Sequence, residues 1–207
     1  GRIICPSSTE GSGGWRIHFE ISDDGGHTWR KVGPVEAELS VPTQFRKPGA
    51  ANTDDMEAGE AIEEKREAVY CIQPSILRHK DGRLQVVCRT RNAKIATSWS
   101  SDNGETWSKV TLLDIESNNS GIDAVTLKDG RHVMVYNNFE TFPDAEGART
   151  PLSVALSDDG IHWQHVITLE DSPVSQYSYP AVIKEGRKVH VVYTWRRQRI
   201  KYAALEL

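Results

Sequence analysis

Residues 22–29 read SDDGGHTW, and residues 100–107 read SSDNGETW. Both fit the pattern S-x-D-x-G-x-T-W at every fixed position. A weaker copy, LSDDGIHW at residues 156–163, keeps only Asp158, Gly160 and Trp163. Recurrence of one motif within a chain indicates a repeated structural unit, and this repeat decides the fold.

The chemistry of the motif suits a hairpin turn. The carboxylates Asp24, Asp102 and Asp158 can accept hydrogen bonds from turn amides, and the glycine of each copy can adopt a positive φ. The tryptophan that ends each copy is expected to bury its ring beneath the turn. We therefore predict a structural role for this motif.

Short β-rich runs precede the second and third copies and recur in the same order after the third, where no further copy follows, with KDG or EG turns between the first two runs. This order predicts successive four-stranded blades of an all-β β-propeller, about three and a half of them, within one unit at residues 1–207. A stretch at about 44–67, rich in Glu, Ala, Asp and Lys, reads as a surface insertion. The runs lie at 75–78, 84–89 and 95–99; at 124–127, 132–136 and 152–155; and at 181–183, 189–193 and 200–203.

The composition restricts the function classes. The hydrophobic share of 38% and charged share of 26% are those of an ordinary globular protein. A net charge of -4 offers no basic field for nucleic acid, and no apolar run reaches the roughly 20 residues that span a bilayer. We expect no nucleic-acid partner, no membrane span and a monomer.

Metals and cofactors have no sequence support. No HExxH, CxxC, P-loop or GxGxxG pattern occurs, so we expect no cofactor and no metal site. Cys5, Cys71 and Cys88 lie far apart, and we predict that they are buried thiols.

The chain begins with Gly1, inside a segment that reads as a strand (residues 2–5). A propeller closes with four to eight blades, and an open arc leaves edges and apolar faces exposed. We therefore expect this chain to be incomplete as a folding unit, with earlier blades outside it.

The repeated turns and the strand spacing resemble the sialidase superfamily, especially its branch with BNR repeats, also called Asp boxes. The resemblance implies a six-bladed propeller that holds the sugar at one end of its axis, with the boxes on the outer, opposite side. It also implies a secreted or periplasmic location. Members of this family hold the substrate carboxylate with three arginines, and use a tyrosine nucleophile assisted by a glutamate, with an aspartate as acid/base.

Three residues of this chain match the family's site. Arg89, in VCRTR at 87–91, resembles the second arginine, and Arg149, just before PLSV, resembles the third. Tyr177, in YSYPAV at 177–182, resembles the nucleophile. Each could instead be a surface arginine or a packed tyrosine.

One departure concerns the glutamate that assists the tyrosine, because this chain has Gln73 followed by Pro74 at that place. An amide cannot take the phenolic proton as a carboxylate can. Asp123, at the start of an inner strand, is a candidate replacement, unless it is a solvated or capping carboxylate. Glu20 and Glu10 are weaker candidates.

Further residues cluster near the expected pocket by their place in the repeat. Tyr179 could stack on a sugar face, and Arg196 could meet an acidic group. Core packing is favoured for Trp195.

These residues predict a sialidase-like glycoside hydrolase, exo-acting on a terminal acidic sugar such as sialic acid of a glycan or glycoconjugate. The family's first arginine and catalytic aspartate belong to earlier blades, so we expect this chain alone to be inactive. Two alternatives stay open: a non-catalytic carbohydrate-binding propeller, and a glycosidase or lyase of other specificity on the same scaffold.

Overall fold

The computed structural model describes residues 1–11, 14–40, 67–139, 148–173 and 175–207. Within these ranges the regular structure is entirely β, which confirms the predicted fold class. The predicted insertion at about 44–67 lies outside the described residues except for Glu67.

Four larger sheets and one two-stranded pairing organise the described residues. Sheet 1 contains β1 (Ile3–Gly11), β2 (Gly14–Ser22) and β3 (Arg30–Val32). The small pair is β4 (Leu39–Ser40) with β5 (Glu67–Ala68). Sheet 2 contains β6 (Cys71–Arg78), β7 (Leu84–Thr90), β8 (Lys94–Ser100) and β9 (Thr111–Glu116). Sheet 3 contains β10 (Asp123–Thr126), β11 (His132–Tyr136), β12 (Leu152–Ser157) and β13 (Gln164–Glu170). Sheet 4 contains β14 (Tyr177–Glu185), β15 (Lys188–Trp195) and β16 (Arg199–Glu206).

Each of these sheets is an antiparallel meander in which strands adjacent in sequence are paired. The first strands of successive sheets lie side by side: β1 contacts β6, β6 contacts β10, and β10 contacts β14. These strands are the inner strands of successive blades. The arrangement is the partial β-propeller that the repeat predicted.

The core lies between successive sheets rather than within any one of them. One apolar cluster joins sheets 1 and 2, and includes Phe19 and Val86. A second joins sheets 2 and 3 around Leu77 and Met134. A third joins sheets 3 and 4 around Val154. Every blade is therefore stabilised mainly by its neighbour, because burial of apolar area between them is the dominant favourable term.

One face of sheet 4 is apolar and exposed. Ile183, Val192 and Tyr202 are 67%, 39% and 58% exposed, and they share this face because Val192 pairs with Tyr202 across the sheet. The opposite face, with Val182 and Val191, is packed against sheet 3. No described sheet covers the exposed face, as expected for one end of an open arc.

The first two repeats form the same turn, as predicted. In the first, Asp24 accepts hydrogen bonds from the amide of Thr28 (2.9 Å) and its hydroxyl (2.7 Å), while the Ser22 hydroxyl accepts from the amide of Gly26 (2.7 Å). The second repeats this network around Asp102. Gly26 has a φ of 98°, in the left-handed region that glycine tolerates.

The third repeat corrects one residue of the prediction. Asp159, not Asp158, accepts the turn amides of Ile161 and His162, both at 2.8 Å. This copy is one residue shorter between its aspartate and Gly160, so the matching carboxylate lies next to the glycine. The His162 ring takes the place of the threonine hydroxyl, 2.7 Å from Asp159.

The tryptophans of the three turns differ in burial. The Trp107 ring stacks on Phe19 of the preceding sheet at 4.0 Å, and Trp163 packs between sheets 2 and 3. Trp29 is 46% exposed, so the prediction of burial is wrong for this copy. The reason is geometric, since each ring packs toward the preceding sheet and sheet 1 has no described sheet before it.

A pair of histidines, of which His132 is buried and His79 half-buried, joins sheets 2 and 3 near the third turn. The His132 ring is fully buried, lies 4.5 Å from His79, and shares a hydrogen bond of 2.9 Å with the Thr126 hydroxyl. Burial lowers the pKa of His132 to about 4. The ring is therefore neutral at neutral pH.

The corrected turn predicts a difference between two adjacent aspartates. We expect Asp159→Ala to lower the free energy of unfolding by ~1–2 kcal/mol, since turn amides lose a charged acceptor. Asp158→Ala, the matched control, should change it by less than ~0.5 kcal/mol. Urea unfolding of both variants measures this. Greater damage from Asp158→Ala would contradict the correction.

The buried His132 predicts a pH dependence of stability. Between pH 6.5 and about 4 the unfolded chain binds a proton at this residue and the folded chain does not. Stability should therefore fall as the pH drops through this window, by ~1.4 kcal/mol per pH unit at most. Denaturation at several pH values tests this, and His132→Asn, which keeps a polar group near Thr126, should flatten the profile. An equally steep profile in the variant would assign the effect to another group.

Candidate functional site

Equivalent positions on three inner strands converge at one end of the sheets. Gln73, Gly121 and Tyr179 each lie two residues before the first regular pair that follows, namely Ser75 with Val87, Asp123 with Val135, and Ala181 with Val192. A Cβ atom at Gly121 would lie 3.1 Å from the Tyr179 ring and 3.3 Å from the side-chain oxygen of Gln73. Gly121 therefore lies against both of the other residues.

Gln73 and Tyr179 share an unusual backbone. Each occupies a bulge in its strand, has a φ of 55° or 52°, and precedes a proline. A positive φ costs a residue with a side chain on the order of 1 kcal/mol, and such strain concentrates at functional sites. The bulges turn both side chains toward the same place.

Arg89, near the end of β7, is fixed from several sides. Its Nε donates to the Asn119 side-chain oxygen at 2.9 Å, and its Nη2 donates to the Asn119 backbone carbonyl at 3.0 Å. Its Nη1 lies 3.4 Å from the Gln73 side-chain oxygen, and its guanidinium lies 5.1 Å from the Trp15 ring centre. This fork is pre-organised, which suits recognition of a carboxylate.

Arg149 lies against Tyr179. Its guanidinium is 5.1 Å from the centre of the Tyr179 ring. Hydrogen bonding to Arg149, with the charges of Arg149 and Arg89, lowers the pKa of the Tyr179 phenol. The phenol therefore lies near two cations, and Tyr179 is 49% exposed.

The two arginines also affect each other. Burial lowers the pKa of Arg89, and the nearby charge of Arg149 lowers it further. Repulsion between two like charges is relieved when an anion binds between them. This end of the sheets is therefore suited electrostatically to an anionic ligand.

Tyr177, the predicted nucleophile, has a different environment. It is 1% exposed and belongs to the apolar cluster between sheets 3 and 4. Its backbone amide donates to the Arg149 carbonyl at 2.8 Å, so it positions the segment that carries Arg149. A ligand cannot reach this ring in the described structure, whereas Tyr179 is accessible.

Asp123, the predicted replacement base, is held by three donors. Its Oδ1 accepts from the Ser75 hydroxyl at 2.7 Å and from the amide of Ala124 at 2.9 Å. Its Oδ2 accepts from the amide of Val182 at 2.7 Å. One carboxylate thus bridges β6, β10 and β14, which favours the capping alternative over a base.

Glu20 and Glu10 differ in position. Glu20 is engaged by the Ser7 hydroxyl at 2.6 Å and by His18 at 3.0 Å, and hydrogen bonding to Ser7 lowers its pKa. Glu10 is exposed at the end of β1, opposite Trp15, and its charge acts on Arg89. Glu10 is thus the candidate carboxylate nearer to the arginines.

Arg196 belongs to another group of side chains. Its guanidinium lies 4.4 Å from the centre of the Trp195 ring, and Arg199 lies 5.0 Å from the same ring. Among the described residues it makes no recorded contact with Arg89, Arg149 or Tyr179. The structure brings together four of the seven predicted site residues: Gln73, Arg89, Arg149 and Tyr179.

Three contributors were missed by the sequence reasoning: Asn119, Gly121 and Trp15. Asn119 and Trp15 carry no motif, since they act by contact with Arg89 across sheets. Gly121 could have been found from the sequence, because it lies five residues before Thr126, just as Gln73 lies five residues before Arg78. Thr126 and Arg78 each end a strand at a hairpin of the same length. The shared X-Pro pair of Gln73 and Tyr179 would likewise have aligned these two residues.

No cluster of metal-binding side chains occurs in the part of the chain that the structure describes. The same part holds no helix long and apolar enough to cross a membrane. All three cysteines are free thiols, with Cys71 and Cys88 buried and Cys5 half-buried.

Residues 1–191 match the model of a family described as BNR repeat-like domain. No curated protein is a significant match. Many solved structures are similar. A protein of unknown function from Dyadobacter fermentans superposes with a TM-score of 0.70 at 18% identity, over 100% of this chain and 50% of its own.

Sialidases are also among the similar structures. The NanB sialidase of Streptococcus pneumoniae, as a K499G mutant, has a TM-score of 0.62 at 20% identity, covering 99% of this chain and 29% of its own. The Trypanosoma rangeli sialidase, in complex with an inhibitor, has a TM-score of 0.61 at 15% identity, covering 94% and 28%. This chain thus spans half or less of these proteins. At such identities the likeness concerns the fold.

The bonding of Asp123 predicts a structural effect. We expect Asp123→Ala to lower the free energy of unfolding by ~3 kcal/mol, because the Ser75 hydroxyl and the Val182 amide lose a charged acceptor. Asp123→Asn should cost less, since one acceptor oxygen remains. Urea unfolding compares them. Unchanged stability in Asp123→Ala would show that the bridge between blades is not needed.

Proposed function

The chain belongs to the BNR repeat-like domain family, and from this premise we propose that its site holds a terminal acidic sugar for an exo-acting, sialidase-like glycoside hydrolase. The observation that carries the proposal is the accessible Tyr179 ring against Arg149, with both Arg149 and Arg89 acting on its phenol. Arg89 and Arg149 would hold the sugar carboxylate. The remaining groups of such a site would come from outside the residues described.

The polarity of the site supports an anionic ligand. The guanidinium groups and the Gln73 amide nitrogen are hydrogen-bond donors, and a carboxylate offers acceptors only. Asn119 occupies one edge of Arg89, so the guanidinium keeps a fixed direction. A fixed fork loses less entropy on binding than a mobile one.

In this proposal Tyr179 is the reacting tyrosine, in place of Tyr177. A phenol attacks more readily as its pKa falls toward the working pH, because more phenolate is present. Hydrogen bonding to Arg149 lowers that pKa. For a hydrolase the phenolate would attack the anomeric carbon, the glycosidic oxygen would leave with a proton from an acid, and water would then release the sugar.

A lyase is the second candidate, and Gln73 favours it. Gln73, at the place where the family has the assisting glutamate, offers the tyrosine an amide and not a carboxylate. A phenolate can remove the proton next to a uronate carboxylate that two arginines neutralise. The carbon–oxygen bond to the leaving sugar then breaks, that oxygen gains a proton, and a double bond forms in the remaining ring.

The test compares wild type with Tyr179→Phe and Tyr177→Phe in a polypeptide with a complete propeller. We expect Tyr179→Phe to lower turnover at least ~100-fold, because the reacting oxygen is gone. Tyr177→Phe should keep it within ~3-fold, since that ring is buried in the core. Substrates are a fluorogenic sialoside, other glycosides and uronate-containing glycans, and products are analysed by mass and ultraviolet absorbance.

Each result has one meaning. A free sugar in the product supports the hydrolase, and an unsaturated, ultraviolet-absorbing sugar identifies the lyase. Binding of sialic acid or glucuronate without turnover identifies a carbohydrate-binding propeller. Loss of turnover in Tyr177→Phe alone would return the nucleophile to Tyr177. Preference for neutral glycans would overturn the acidic-sugar proposal.

A further inference from the structure

Gly121 lies between two side chains of the site, at the same place on its strand as Gln73 and Tyr179 on theirs. On the neighbouring strands this place carries a side chain. Just before β10 it carries none, and the Tyr179 ring fills the space. The ring atoms Cδ1 and Cε1 lie 3.1 and 3.6 Å from the point where a Cβ would stand.

The backbone does not require glycine at this position. The positive-φ glycines of the described chain include Gly104 and Gly160 but not Gly121. Any residue could therefore adopt this conformation. What excludes a side chain is the contact with Tyr179 and Gln73, so glycine is needed for space.

The contact is tight on one side only. Tyr179 is half exposed, and its ring is bounded by Arg149 at 5.1 Å and by the backbone of Gly121. Pro180 and the positive φ of Tyr179 fix the start of its side chain. The remaining freedom is rotation of the ring away from the arginines into solvent.

We propose that Gly121 is a positioning residue, whose missing side chain provides the seat that holds the Tyr179 phenol between Arg89 and Arg149. A larger residue would displace the ring toward solvent. The phenol would lose its contact with Arg149, and the two arginines would lose their shared acceptor.

The experiment replaces Gly121 by Ala and by Val in the full 207-residue chain. Gly11→Val is the matched control, because Gly11 has no neighbour within 4 Å of its Cβ position and no positive φ. Ultraviolet titration of tyrosinate, as the difference between each protein and its Tyr179→Phe counterpart, follows this phenol alone. The titration is resolvable, since burial raises the pKa of Tyr136 to about 12 while that of Tyr179 is lowered.

We expect the titration midpoint of Tyr179 to lie below that of an ordinary tyrosine, about 10, in wild type and in the Gly11→Val control. It should rise part of the way in Gly121→Ala and reach about 10 in Gly121→Val. Circular dichroism and thermal unfolding verify that the variants are folded. If Gly121→Val does not fold, the rise in Gly121→Ala decides. An unchanged midpoint in the folded variants overturns the proposal.

A second readout rests on the proposed function: binding of sialic acid or glucuronate, followed by calorimetry. We expect at least a 10-fold weaker affinity in Gly121→Val, because the arginines are no longer held by the phenol, and no change in Gly11→Val. If the titration shifts but no protein binds either sugar, the seat is supported and the acidic-sugar proposal fails. If wild type binds and the titration is the same in all variants, the seat fails and the function stands.

Discussion

The packing of each sheet against the next is the interaction on which the rest of this structure depends. No sheet has a core of its own, and the apolar clusters lie between neighbours. Because the sheets are repeats, this packing brings equivalent positions of successive inner strands into contact. The convergence of Gln73, Gly121 and Tyr179 is therefore a consequence of the repeat. The Asp123 carboxylate joins the same three strands two or three residues further along the chain.

The repeated turns and the proposed ligand site lie at opposite ends of the sheets. Ser100, which begins the second box, pairs with Leu84, whereas Arg89 lies at the other end of β7. The box residues bond within their own turns and to adjacent sheets. The end with the proposed site instead contains strained residues and two arginines that repel each other. Such a division would let the residues of the proposed site vary without loss of the fold.

The sequence predicted the repeat and the blades because the box residues and the strand period are local signals. It misplaced the aspartate of the third box. That copy is one residue shorter than the others and contains two adjacent aspartates, which the motif pattern alone does not distinguish. It assigned the nucleophile to Tyr177 through the family resemblance, and that assignment stays a prediction. The sequence pattern does not show that Tyr177 is buried and Tyr179 exposed. Residues two apart face the same side of a regular strand, but a bulge at Tyr179 breaks that rule. Asp123 was recognised as inward-facing, yet its three donors come from three strands and could not be foreseen.

The presence of Gln73 in place of a carboxylate changes how a tyrosine in such a site can react. Beside a carboxylate, a phenol transfers its proton within the site, and the pair works while the carboxylate is ionised. Beside an amide, the proton must leave to solvent or to the ligand, and the phenolate depends on its cationic neighbours. Arg149 and Arg89 provide that stabilisation here, and a bound carboxylate would weaken it by neutralising them. Under the proposed function, the same two guanidinium groups stabilise both the bound carboxylate and the phenolate of Tyr179. The position of the phenol relative to Arg89 and Arg149 therefore determines both the affinity for the ligand and the fraction of phenolate.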